Sequence, residues 1–255
     1  PSSPEDPTAY SESLLQVNES LYEEIKNGRW GDEPVPDGEY LTDVVVKPHA
    51  IGNCRADLLK VHWSRNVEIG AFTVIGPAGV KYLHGTGSGH NGEIVYLGNP
   101  PGKGYPVDNT RDVHVHHIEN AEGHPHAELV DVKPGCENVL IEYCTDGGGA
   151  ARYVLEGHEE TDETAINLGG RDCTVRWNVI EGSQGQGIEV GSWGVVHRDR
   201  FEQDKGVAYP EELFDHGRLN EIYGNRITGY GGLAIRYPMV APGDSGQRIA
   251  EEYRG

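Results

Sequence analysis

The sequence contains few of the residues that define several common protein classes. Its 255 residues include one methionine, three phenylalanines, four cysteines and seven lysines. No apolar run approaches the roughly 18 residues of a membrane span, so we expect no membrane-spanning segment. The 36 glycines have no three-residue period, which excludes a collagen-like chain.

Positive charge is scarce as well. The 21 Lys and Arg residues face 41 Asp and Glu residues, which gives a formal net charge of −20 at pH 7. Binding to nucleic acid requires a basic surface that neutralises phosphates, so we expect no nucleic-acid partner. The shortage of lysine beside so many carboxylates predicts a halophilic protein whose self-repulsion is screened by concentrated salt. A merely soluble acidic surface is the alternative.

The cysteines and the first residues bear on the cellular location. Cys54, Cys136, Cys144 and Cys173 lack the C-x-x-C spacing of a zinc cluster, and Cys173 is predicted to be a small core residue. The chain begins Pro-Ser-Ser-Pro without an initiator methionine, which is typical of a trimmed product. We therefore expect a secreted protein that is extracellular or attached to the cell surface.

The first part of the chain has the apolar spacing of an amphipathic helix. Apolar residues recur at steps of three or four, at Tyr10, Leu14, Val17, Leu21 and Ile25. Gly28 marks a helix end, and a turn-rich segment follows it. We therefore expect residues 1–38 to form a tail, a helix over residues 10–27 and a linker.

One short pattern recurs after residue 38. Its four copies are NVEI from Asn66, DVHV from Asp112, NVLI from Asn138 and DCTV from Asp172. In a longer match, Asn178 aligns with Asn225 and Ile188 aligns with Ile235, and the two asparagines are predicted to form a ladder in left-handed backbone. Matched residues at successive repeats predict a solenoid of stacked strands rather than a β-sandwich.

Two motifs carry a family resemblance. The N-V-x-I and N-x-I-x-G coils resemble right-handed parallel β-helix proteins of the pectate-lyase-like superfamily. The run ELVDVKPG from Glu128 to Gly135 resembles the E-x-x-D-x-K-x-G segment of secreted β-helix proteins, and the strand that carries the catalytic lysine in some polysaccharide lyases. The resemblance implies an all-β fold, a right-handed parallel β-helix of about six coils over residues 39–238. An N-terminal helix would cap it, and residues 239–255 would form a C-terminal tail.

A column of polar residues is expected on the outer face of one sheet, where side chains alternate with inward aliphatic residues. The column contains Asp131, Asn167, Glu189 and Arg236, with Lys133 beside it. Carboxylate and amide oxygens bind calcium, so the first three are candidate calcium ligands. For β-elimination on a uronate polymer, Lys133 is the candidate base if its pKa is lowered and an anion clamp if it is not, and Arg236 is the candidate charge-neutralising group. Lys133→Ala is then expected to remove activity without changing the melting temperature. The alternative is a solvated sheet face without catalytic function.

Histidines are concentrated in a second region. His114, His116, His117, His124 and His126 lie within 13 residues. His114 and His116 should point the same way from one strand, with Glu142 opposite His116 on the next coil. This set predicts a zinc or copper site. Surface histidines that are hydrogen-bonded to nearby carboxylates are the alternative.

Aromatic residues in two regions are candidates for sugar binding. Tyr143 and Trp177 are interpreted as a packing ladder rather than a sugar platform. Trp193, Tyr209 and Phe214 lie in the longest insertion and are predicted to form a substrate-binding lip.

Together these patterns predict a secreted protein that binds an acidic polysaccharide or cleaves it by β-elimination. The alternative is a non-enzymatic structural or adhesion module. Such a module would stack end to end as a homo-oligomer, since unpaired strand edges at the ends of a solenoid can pair with another chain. A metal-scavenging surface protein that uses the histidines is a third possibility.

Overall fold

The computed structural model describes residues 11, 13–31, 33–79, 92–99, 106–121, 127–147, 164–183, 185–191 and 219–236. In these ranges the chain is mostly parallel β-structure with one short α-helix, which confirms the all-β prediction. None of the described helices is long and apolar enough to cross a membrane.

The first sheet contains seven short strands that are neighbours in chain order. They are β1 (Leu15–Val17), β4 (Leu59–Val61), β6 (Val95–Leu97), β8 (Val130–Val132), β11 (Ile166–Leu168), β14 (Ile188–Val190) and β17 (Ile235–Arg236).

The second sheet takes its strands from the segments in between. They are β2 (Leu41–Val46), β3 (Ala50–Ile51), β5 (Ser64–Val74), β7 (Arg111–Asn120), β9 (Glu137–Glu142), β10 (Thr145–Asp146), β12 (Thr174–Arg176), β13 (Val179–Glu181), β15 (Glu221–Tyr223) and β16 (Arg226–Thr228). The chain alternates between the sheets, and each return adds the next parallel strand. We call one first-sheet strand with the second-sheet strands that follow it a rung. This order is compatible with a solenoid.

Aliphatic side chains repeat at the same position of successive rungs and form the core. Val130 pairs with Ile166, Ile166 pairs with Ile188, and Ile188 pairs with Ile235. The first three are buried in one continuous cluster, and Ile235 packs against it half-buried. Because strand side chains alternate between faces, this register places the residue after each of them on the outer face.

The repeated sequence pattern has a backbone cause. Asn66, Asp112, Asn138 and Asp172 all have φ between 51° and 56°, the left-handed region that Asn and Asp tolerate. Each one lies at or near the start of a second-sheet strand, and the residue after it is buried in the core.

At the bend between β12 and β13, the residue with left-handed backbone is not the predicted one. Asn178 and Asn225 do form a ladder, in which Asn178 Nδ2 donates to Asn225 Oδ1 at 3.0 Å. The left-handed residue, however, is Trp177, one position earlier, with φ 55°.

The N-terminal helix is shorter than the spacing predicts. Residues Leu15–Val17 form strand β1 and pair with β4, so the prediction of helix over that segment is wrong. Pairing with β4 gives the backbone groups of this segment hydrogen-bond partners, whereas the first four N–H groups of a helix have no partner within the helix. Helix α1 spans Glu19–Lys26, and its Leu21 and Ile25 pack in a small second core with Val35, Tyr40 and Trp63.

The last described strands of the second sheet, β15 and β16, are more exposed than the two strands that they pair with. Ile222 and Ile227 are only partly buried, whereas Val175 and Ile180 at the same positions are buried. The C-terminal tail lies outside the described residues. End-to-end stacking stays a prediction.

The four cysteines are free and buried, and Cys173 lies in the core as predicted. Burial raises the pKa of Cys144 and that of Cys173 to about 12, so both thiols are neutral at physiological pH.

Candidate functional site

Polar residues form a continuous column on the outer face of the first sheet. Asp131 pairs with Asn167, Asn167 with Glu189, and Glu189 with Arg236, which confirms the predicted register. The column continues in the other direction through Tyr96 to Lys60. We call the whole set the polar ladder: Lys60, Tyr96, Asp131, Lys133, Asn167, Glu189 and Arg236.

The polar ladder is covered in its middle and open at its Arg236 end. The exposed fraction of the side chain is 1% at Asp131, 12% at Glu189 and 42% at Arg236. The prediction of a solvent-exposed column is therefore wrong for Asp131, Asn167, Glu189 and Lys133, all of which are buried. Strand alternation shows which side chains face away from the core, but it carries no information about what lies over them.

From Asp131 to Arg236, the charges within the polar ladder are paired with one another. The Lys133 ammonium forms an ion pair with Asp131, and Asn167 Nδ2 donates to Asp131 Oδ1 at 3.1 Å. Arg236 Nη1 lies 3.7 Å from Glu189 Oε1, a looser contact. A calcium ion at the predicted ligands Asp131, Asn167 and Glu189 would compete with these partners.

Lys133 has the electrostatics of a fixed cation. Burial is the largest single influence and disfavours the ammonium, but Asp131 and the other acidic groups nearby together outweigh it and raise the pKa of Lys133 well above its usual value. Its Nζ also lies 4.9 Å from the centre of the Tyr96 ring. A general base must be deprotonated at rest, so this pKa direction disfavours the predicted base role and favours that of a positive clamp.

A group of carboxylates lies beside the polar ladder. Asp57, Glu93 and Glu128 each stand two residues before a first-sheet strand, and this repeated spacing is a sequence signal that our sequence analysis missed. One oxygen from each of Glu93, Glu128 and Asp131 lies within 4.8 Å of the others. Among the described residues this is the one group of three acidic, histidine or cysteine ligand atoms so close together.

Two of these carboxyl groups have opposite pKa shifts. Burial, and then the negative charge of Asp57, raise the pKa of Glu93 well above its usual value. Burial opposes ionisation of Asp57 too, but contacts with Glu93, Lys60 and the Gly92 amide lower its pKa. Lys60 Nζ lies 2.7 Å from Asp57 Oδ2. Glu93 is therefore still protonated at pH values at which Asp57 is already ionised.

This difference predicts a pH effect on stability. Glu93 has a higher pKa in the folded chain than in the unfolded chain, where it is about 4.3. Folding therefore takes up a proton, and the Glu93 contribution to stability is lost as pH rises from about 4.3 toward the folded pKa. Glu93→Gln removes this loss. The stability of the variant relative to wild type should rise with pH, by at most about 1.4 kcal/mol per pH unit.

Urea denaturation at intervals from pH 5 to pH 8 measures this effect. Glu181→Gln is the control, because Glu181 is half-exposed and pairs with the exposed Arg226. Parallel stability curves for wild type and Glu93→Gln would contradict a protonated Glu93.

The histidines lie on the second sheet, in the predicted arrangement. The rings of His114 and His116 are 4.4 Å apart between centroids, and His114 Nε2 lies 3.0 Å from Glu142 Oε1. His116 and Glu142 are register partners, as expected. Glu142 Oε2 also accepts a hydrogen bond from Arg176 Nε at 2.7 Å. Burial opposes ionisation of Glu142, but these contacts lower its pKa, so its carboxylate already has two partners.

Aromatic rings continue along the same sheet. His117, Tyr143 and Trp177 occupy equivalent left-handed bends, and their ring centroids are 5.2 Å and 5.1 Å apart. Trp177 also packs over Gly224, where an added Cβ would lie 2.6 Å from its Cδ1. Since the stacked rings contact one another, the geometry favours a packing ladder over a sugar platform.

The remaining predicted site residues lie outside the described residues. These are Trp193, Tyr209 and Phe214 of the expected binding lip, and His124 and His126 of the histidine region.

Comparison of the chain with protein-family models, with curated proteins and with solved structures found no match.

Proposed function

We propose that the chain is a right-handed parallel β-helix that binds an acidic polysaccharide at the open, Arg236 end of the polar ladder. The observation that carries this proposal is the change in exposure along the ladder, from a buried ion pair at Asp131 and Lys133 to a half-exposed cation at Arg236. A polysaccharide ligand also fits an extracellular location, which belongs to the same proposal.

The fold part of the proposal is supported by the strand order. The chain returns to the first sheet six times after its first strand there, and each return adds a strand parallel to the previous one. Connections between parallel strands of one sheet are right-handed in about 98% of known cases. Six circuits of that hand would be the coils that the family resemblance implies.

The ligand part is supported by the surroundings of Arg236. Its contact with Glu189 is 3.7 Å long, which exceeds hydrogen-bond distance. A guanidinium group binds a carboxylate through two parallel hydrogen bonds, so a uronate would make a better partner than the present one. The net charge of −20 repels such a ligand at a distance, and high salt weakens that repulsion.

Binding is better supported than cleavage. Elimination needs a base beside the sugar, whereas Lys133 is protonated and lies at the covered part of the polar ladder. Calcium is not required either, since Lys133 and Arg236 already contact the acidic groups of the polar ladder.

Arg236→Ala tests the binding site. We expect it to weaken binding of oligogalacturonate or alginate oligomers about tenfold or more, because a hydrogen bond to a charged group contributes about 1.5–3 kcal/mol. Isothermal titration calorimetry at several salt concentrations measures the affinity. Arg226→Ala is the matched control: this arginine is also exposed and paired with a glutamate, but it lies on the second sheet.

Arg226→Ala should bind like wild type. Equal affinities of Arg236→Ala and wild type, or absence of binding by wild type to any acidic oligosaccharide, would overturn the proposal. Absorbance of unsaturated products in the same mixtures tests elimination separately.

A further inference from the structure

Two adjacent histidines of β7 form a hydrogen bond with each other through their Nδ1 atoms. His116 Nδ1 and His117 Nδ1 are 3.0 Å apart, and the two rings meet edge to face with centroids 5.1 Å apart. Successive residues of a regular strand point to opposite faces. Here His117 has φ 49°, in the left-handed region, and this bend turns its ring to the same side as that of His116.

Glu68 determines which nitrogen of His116 has a lone pair available. Lys47 Nζ lies 2.5 Å from Glu68 Oε1, and a carboxylate that is paired with an ammonium group can only accept hydrogen bonds. Glu68 Oε1 lies 3.1 Å from His116 Nε2, so that nitrogen carries the proton. In neutral His116 the lone pair is then on Nδ1, which faces His117. A carboxylate that holds the far nitrogen of a histidine is the usual support of a metal ligand.

We propose that His116 Nδ1 and His117 Nδ1 form a binding site for Cu²⁺, with water at the other coordination positions. This site differs from the one that the sequence predicts. Glu142 is held by Arg176 and His114, whereas His116 Nδ1 and His117 Nδ1 share one hydrogen bond. The ion would replace the proton of that bond, and the His117 ring would then carry its proton on Nε2. The exposed His117 provides access for the ion, while His116 is mostly buried.

The separation of the two nitrogens is compatible with binding to one metal ion. With metal–nitrogen bonds of about 2.0 Å, a separation of 3.0 Å corresponds to an angle of roughly 95° at the metal. Square-planar Cu²⁺ and Ni²⁺ need about 90°, whereas tetrahedral Zn²⁺ needs about 109° and a wider separation. Cu²⁺ also binds nitrogen ligands most strongly among the divalent first-row metals. The expected order of affinity is Cu²⁺, then Ni²⁺, then Zn²⁺.

Titration of the full chain with Cu²⁺ at neutral pH tests the site. Calorimetry gives the affinity for the first, most tightly bound Cu²⁺ ion. Electron paramagnetic resonance counts the imidazole nitrogens that coordinate it. We expect a square-planar signal with two nitrogens in wild type. His117→Asn, which keeps a residue that tolerates left-handed backbone, should lower the affinity at least tenfold, and so should His116→Gln.

His114→Gln is the matched control, because His114 lies on the same strand beside the site and its ring contacts His116. It should bind Cu²⁺ within about threefold of wild type. Circular dichroism establishes that each variant is folded. Unchanged copper affinity and signal in folded His117→Asn and His116→Gln, or no tight equivalent in wild type, would overturn the proposal. Arg236 is on the other sheet, so this test does not depend on polysaccharide binding.

Discussion

Replacing Lys133 with methionine should destabilise the protein by about 3–5 kcal/mol, the usual cost of removing one partner of a buried ion pair. The side chains of Lys133 and Asp131 are only 10% and 1% exposed. Methionine fills a similar volume, so the effect reports the lost cation beside a buried carboxylate rather than a cavity. Denaturation in urea measures the change. Burial thus reverses the sequence-based expectation that substitution of Lys133 leaves the melting temperature unchanged.

Two controls identify the cause. Arg226→Met removes an ion pair whose side chains are 65% and 42% exposed, and it should cost less than about 1 kcal/mol. The double variant Lys133→Met with Asp131→Asn removes both charges and should recover most of the lost stability. If Lys133→Met unfolds at the same urea concentration as wild type, the buried pair does not stabilise the fold.

Raising the concentration of KCl from about 0.1 M to about 2 M should raise the melting temperature by roughly 10 °C, the shift that about 3 kcal/mol produces in a domain of this size. The physical cause is a net charge of −20, whose self-repulsion acts over a Debye length of about 10 Å in dilute salt and about 3 Å at 1 M. Buried pairs such as Lys133 with Asp131 are screened less, so the effect reports the exposed carboxylates.

The same scan near pH 4.9, the isoelectric point of the sequence, is the control. There the net charge is close to zero, so the salt effect should shrink if self-repulsion causes it. A salt effect of equal size at both pH values would indicate general exclusion of salt from the protein surface. Equal melting temperatures in both salt concentrations at pH 7 would contradict the halophilic prediction.

The register of the first sheet could be predicted because a one-residue slip would exchange every inward aliphatic residue with a polar one. Ile166 and Ile188 therefore place Asn167 and Glu189 on one line with Asp131 without any knowledge of the connections. The extent of the helix could not be predicted in the same way. Val17 fits the helical stripe, but it lies next to an available edge of β4, and that edge exists only in the folded chain.

By itself, the sequence indicated a solenoid of stacked strands through its repeats, and the parallel strand order came from the family resemblance. It also determined the alignment of the polar ladder and the histidine face on the second sheet, since side chains alternate along a strand. The tertiary structure decided that Asp131 and Lys133 are buried, that Glu93 is protonated beside Asp57, and that His117 turns toward His116. Burial and pKa depend on atoms from distant segments, and their positions are not encoded in any local pattern.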